Sequence, residues 1–97
     1  MQGPGPGRDL QATLRALTAS VGRKDWIAAR EWVAEFETGA QRQKAISNKT
    51  KWAELLSSTA IALIAIRAND AEGCVEVLSE MSDLLVQAQE RGLTDHH

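Results

Sequence analysis

Apolar residues recur at three- and four-residue steps along almost the whole chain, and this spacing limits the fold more than any other feature. Leu10, Leu14, Leu17 and Val21 fall on one stripe, and Trp26, Ala29, Val33, Phe36 and Ala40 fall on a second. Such steps return to the same side of an α-helix and to no single side of a strand. The composition agrees, because alanine recurs, tyrosine is absent and phenylalanine occurs once. That mixture suits closely packed helices and lacks the aromatic and β-branched bulk of sheets.

The breaks between stripes divide the chain into four helices, at about 9–21, 25–46, 49–68 and 70–91. Asp9 and Asp25 are suitable N-caps, and Gly22 is a suitable stop. Gly39 either ends the second helix or lies within one that continues to Ile46. Ser47 or Asn48 is available to cap the third helix, and Asn69-Asp70-Ala71-Glu72 has the form of a capping box. Residues 1–8 read as a flexible Gly/Pro leader and 93–97 as a frayed tail, leaving 9–92 as a single helical domain.

The halves echo one another, since Gly-Arg-Lys-Asp25 and Arg-Ala-Asn-Asp70 precede the second and fourth helices at an offset of 45 residues. Short turns bring consecutive helices together. The expectation is therefore an all-α four-helix bundle built from two antiparallel αα-hairpins.

Little in the sequence points to catalysis. The two histidines are the last two residues, and no glycine-rich phosphate loop or zinc spacing is present. Cys74 lies on the apolar stripe of the fourth helix with Leu78, Met81, Leu85 and Ala88, which reads as a buried structural thiol. Asp95-His96-His97 is a mobile run of metal-capable groups without preorganisation. The expectation is a non-enzyme with no cofactor and no metal site.

A single cysteine and no recognisable secretory leader point to a cytoplasmic setting. The longest apolar run, Ala60 to Ile66, is far short of the roughly 20 residues needed to span a bilayer. With a net charge of −2, no global field draws the chain to nucleic acid, so any such binding must be local.

Three surfaces rise above this background. Glu72, Glu76, Glu80 and Asp83 form a single-signed face on the fourth helix, suited to a basic partner. Arg42, Lys44, Lys49 and Lys51 surround the central turn without an intervening acid. Trp32 lies off the core stripe of its helix and, with Ile27, makes that helix apolar on more than one side. The third helix is apolar nearly all round in its C-terminal half. This is more apolar surface than one small core needs.

The leading expectation is a protein–protein interaction module of adaptor, small-chaperone or inhibitor type. Ile27, Trp32 and the outer side of Ile61 to Ile66 supply contact energy, while the acidic face sets orientation. Its partner is another protein or a second copy of the chain. The alternatives are a small nucleic-acid-binding regulator using the basic 42–51 turn, and a structural subunit of an oligomeric assembly.

Overall fold

The structure is a computed structural model that describes residues 6–47 and 50–89. It contains four helices: α1 (Pro6–Gly22), α2 (Trp26–Ser47), α3 (Thr50–Arg67) and α4 (Ala71–Gln89). The described residues include no strand. The helices form a ring: α1 packs on α2, α2 on α3 and α3 on α4, and a lighter contact between α4 and α1 closes it. Gln11 Nε2 donates to Gln89 Oε1 at 3.0 Å across that closing contact.

The stripes read from the sequence meet in the middle. Leu10, Leu14, Leu17 and Val21 are buried with Ala29, Val33, Phe36 and Ala40 from α2, Trp52, Leu55, Ala62 and Ile66 from α3, and Cys74, Leu78, Met81, Leu85 and Ala88 from α4. Trp26 is half-buried against this core.

Several helix limits differ from the sequence reading. The α1 helix begins at Pro6, not at Asp9, so the leader read as 1–8 includes helical residues at its end. Pro at a first helical position forgoes only an N–H that has no partner there anyway. The α2 helix passes through Gly39 and takes in Ser47, which therefore does not cap α3. A Cβ at position 39 would lie 2.7 Å from Leu10 Cδ2, so this glycine marks the close approach of α1 to α2 rather than a break. Residues 1–5, Asn48, Glu90, the Gly92 stop and the tail lie outside the described residues.

The α1–α2 and α3–α4 turns are built alike. Lys24 N–H donates to Val21 O at 2.9 Å and Asp25 N–H to Ser20 O at 2.8 Å, with Lys24 at φ 59°. In the second of these turns Asn69 N–H donates to Ile66 O at 3.0 Å and Asp70 N–H to Ala65 O at 2.9 Å, with Asn69 at φ 56°. Each is a Schellman stop whose left-handed residue is followed at once by the next helix's N-cap. Asp25 Oδ1 accepts from Ala28 N–H at 3.2 Å, and Asp70 Oδ1 from Gly73 N–H at 3.0 Å.

These contacts correct two readings. Gly22 is the last helical residue and not the left-handed one. The cap of α4 is Asp70, and because Gly73 stands three positions later, no glutamate reaches back to complete a capping box. A side chain at Gly73 would in fact collide with the Asp70 carboxylate, since its Cβ would lie 2.5 Å from Oδ2.

The left-handed positions yield a prediction. Lysine is strained at positive φ whereas asparagine tolerates it. Lys24→Gly is expected to stabilise the fold by about 0.5–1 kcal/mol, and Asn69→Gly to change it by less than about 0.5 kcal/mol. Urea midpoints of the two variants check this, and equal gains would contradict the assigned geometry.

The likeness of the halves extends well beyond the turns. At the 45-residue offset, Leu10, Leu14, Leu17 and Val21 correspond to Leu55, Thr59, Ala62 and Ile66. Ala29, Val33, Phe36 and Ala40 correspond to Cys74, Leu78, Met81 and Leu85, and all sixteen residues are buried. Hairpin one (α1 and α2) and hairpin two (α3 and α4) therefore present the same register to the common core.

Candidate functional site

Helix α3 distributes its residues against their polarity. Ser58 and Thr59 are buried, while Ile61 is 56% and Ile64 68% exposed. Thr59 can be buried because its hydroxyl donates to Leu55 O at 2.7 Å, which leaves no donor unmatched. The isoleucines have no such structural account. They stand on the edge of α3 nearest α4, at steps that continue through Ala65 and Ala68.

Opposite them, α4 contributes Gly73, Glu76, Val77 and Glu80. The two rows enclose an open groove of about 410 Å³, with the Asp70 cap at one end. One wall is apolar and the other carries carboxylates. Glu72 and Asp83, the other two members of the acidic face, are exposed further round α4. Helix α4 contains no lysine or arginine, and none of its four carboxylates has a salt-bridge partner among the described residues.

The remaining surface residues read from the sequence do not join this groove. Ile27 is 72% exposed and Trp32 38% exposed, but five residues on a helix separate them by about 140°, so they do not share a face. Trp32 lies on the side of α2 that includes Gly39 and so borders α1. Ile27 points directly outward.

The basic set is also divided. Arg42 and Lys44 are exposed on the last turns of α2, about 160° apart around it. Lys51 Nζ lies 3.4 Å from Glu54 Oε1, so its charge is partly matched on its own helix. Lys49 lies outside the described residues. The structure thus does not gather these cations on one helix face.

A second groove, about 440 Å³, runs between α1 and α4, lined by Thr18, Val21, Gly22, Val75, Leu78, Ser79, Ser82 and Asp83. Half of its lining residues are hydroxylic or glycine, and Val21 and Leu78 are buried core side chains at its floor. It follows from the lighter packing of α1 on α4, and it has one exposed anchor, Val75, where the α3/α4 groove has two isoleucines.

Cys74 is fully buried, and its thiol pKa is raised first by desolvation and second by the nearby Asp70 charge. Both effects keep the sulfur protonated and unreactive. A disulfide reagent is expected to label Cys74 at least about a hundredfold more slowly in the native chain than in denaturant. Because the folded pKa lies above the unfolded one, the stabilising contribution is complete below the unfolded pKa of about 8.5 and is lost as pH rises through the folded value. Stability measured above about pH 9 is therefore expected to fall for the parent and to fall less for Cys74→Ala. Labelling of the native chain at the denatured rate would contradict the burial.

Among the described residues, no group of three His, Cys, Asp or Glu side chains is placed to hold a metal ion, and no helix is long and apolar enough to cross a membrane. Compared with known protein families, curated proteins and solved structures, the chain shows no match.

In the sequence alone, the outer side of Ile61 to Ile66 and the acidic face are separate surfaces. The fold joins part of each, through Ile61, Ile64, Glu76 and Glu80, and adds Gly73 and Val77. Those two carry no sign of a surface role on their own, one being a glycine and the other a buried core valine.

Proposed function

We propose that the chain is a non-enzymatic protein–protein interaction module, of adaptor, small-chaperone or inhibitor type, that receives its partner on the α3/α4 edge. The inverted polarity of α3 supports this most strongly. Each isoleucine, being more than half exposed, forgoes roughly 1–2 kcal/mol of burial energy that a partner's contact recovers. A groove with an apolar wall and a charged rim has the general composition of a docking site. The unpaired carboxylates beside it steer a basic partner and restrict its orientation.

The reading as a nucleic-acid-binding regulator has less support. Its cations are divided between two edges of α2 and a salt bridge in α3, and a phosphate backbone binds best to an unbroken basic track.

The test places a photo-crosslinking amino acid at position 61 and, as a control, at position 15 on the outer face of α1. The chains are irradiated in extract of the source cells. The expected result is one protein product at position 61 that is absent at position 15. A nucleic-acid product, a product of twice the chain mass, or identical products at both positions would overturn the reading.

A further inference from the structure

The 45-residue correspondence allows the outer edges of the two hairpins to be compared residue by residue. Where hairpin two has Ile61, Ile64 and Val77, hairpin one has Ala16, Ala19 and Trp32. The carboxylates keep their places, with Glu31 and Glu35 corresponding to Glu76 and Glu80. Trp32 is 38% exposed, the least exposed of the large apolar residues at the surface. Hairpin one therefore carries a large aromatic ring on its second helix and small residues on its first. Hairpin two has a valine in place of that ring and leaves an open volume of about 410 Å³ over it.

We propose that this volume accepts an amphipathic α-helix from another protein, which lays one large apolar side chain over Val77 against Ile61 and directs Lys or Arg side chains at Glu76 and Glu80. This rests on the interaction-module reading above. Both walls are lined at steps of three and four residues along their helices, a ridge-and-groove surface into which a third helix packs lengthwise. Ala68 and Gly73 keep one end of the groove low. The partner's charge is set by α4, whose four carboxylates face no cation of this chain among the described residues.

A second copy is a poorer occupant. Away from the groove, the exposed isoleucines with a cation one turn off are Ile27, beside Arg30, and Ile46, beside Arg42, both on α2. Seating either end of α2 on the α3/α4 edge of another copy joins two different surfaces, which gives rings or open chains rather than a two-fold dimer. A lipid surface is disfavoured because anionic headgroups repel the acidic wall.

The test uses fluorescent synthetic helices of about five turns with leucine or phenylalanine at steps of three and four, one series flanked by lysines and the other by glutamates. Anisotropy is read with the full chain. The lysine series is expected to bind in the micromolar range and to weaken with salt. Binding is expected to fall about tenfold or more in Ile61→Ser/Ile64→Ser and several-fold in Glu76→Gln/Glu80→Gln. Both pairs change exposed positions, and an unchanged circular dichroism spectrum separates lost binding from lost fold.

Equal affinity of the two series, no binding of either, or full affinity in both variants would overturn the proposal. So would self-association of the chain that the peptide cannot compete with, or recruitment to phosphatidylserine vesicles in preference to the peptide. A partner captured at position 61 with no binding of the lysine series would sink the cationic helix and leave the interaction module standing.

Discussion

Phe36→Ala is expected to lower the stability of the fold by about 3–5 kcal/mol. Phe36 is the sole phenylalanine and is completely buried among the apolar side chains of the common core. Removing its ring forfeits transfer energy and leaves a cavity that four mutually packed helices cannot easily close. A domain of this size has about 5–15 kcal/mol in total, so the loss is a large share of it. The corresponding fall in Tm is about 15–30 °C.

Trp32→Ala removes a larger side chain from an edge position that is already partly in water, and is expected to cost only about 1–2 kcal/mol. Urea unfolding followed by far-ultraviolet circular dichroism measures both. A smaller loss for Phe36→Ala than for Trp32→Ala would mean that the core has been misplaced.

The double variant Ile61→Ala/Val77→Trp is expected to abolish binding of the cationic helix while leaving the fold intact. It copies into hairpin two the residues that hairpin one carries at positions 16 and 32. The backbone register at the two places is the same, because the Schellman turns and all eight pairs of flanking core positions correspond. Val77 is itself buried with the groove opening above it, so a tryptophan at 77, beside an alanine at 61, is expected to extend its ring outward into that groove. Its ring fills the open volume and removes the place for the partner's apolar anchor, for which a loss of about a hundredfold is expected, or about 2.7 kcal/mol. The reverse change, Trp32→Val with Ala16→Ile, is expected to open a comparable groove on hairpin one. Peptide titrations against these variants, with thermal melts alongside, check both directions. Retained affinity in the first variant would show that the space over Val77 is not where the helix binds.

Much of the fold was legible because helical periodicity is a local property. The steps from Leu10 to Val21 and from Trp26 to Ala40 name one side of each helix without reference to anything else, and those sides are the buried ones. The helix ends were less legible. A Schellman stop is fixed by where the last carbonyls find donors, which put the left-handed residue on Lys24 instead of Gly22. Gly39 was ambiguous for a similar reason, since only the position of Leu10 on the adjacent helix explains why a side chain is missing there.

The candidate site was legible only in part. A helical wheel gives direction relative to one helix, and Ile61 and Ile64 sit on a helix that is apolar nearly all round. Which of its sides faces water depends on where α2 and α4 lie, and that also decides why Ser58 and Thr59 are inside. Trp32 and Ile27 were grouped by type although their helix separates them. The signal that most nearly reveals the groove is the 45-residue echo. Carried past the turns, it aligns Trp32 with Val77 and shows where one half has bulk that the other lacks.

Amide hydrogen exchange of the full chain, with and without the saturating lysine-flanked helix, tests the central claim most directly, because the two hairpins serve as mutual controls. Protection is predicted over residues 61–68 and 73–80, with residues 16–23 and 28–35 unchanged. Protection of the hairpin-one segments, or an even slowing across all four helices, would contradict docking on the α3/α4 edge.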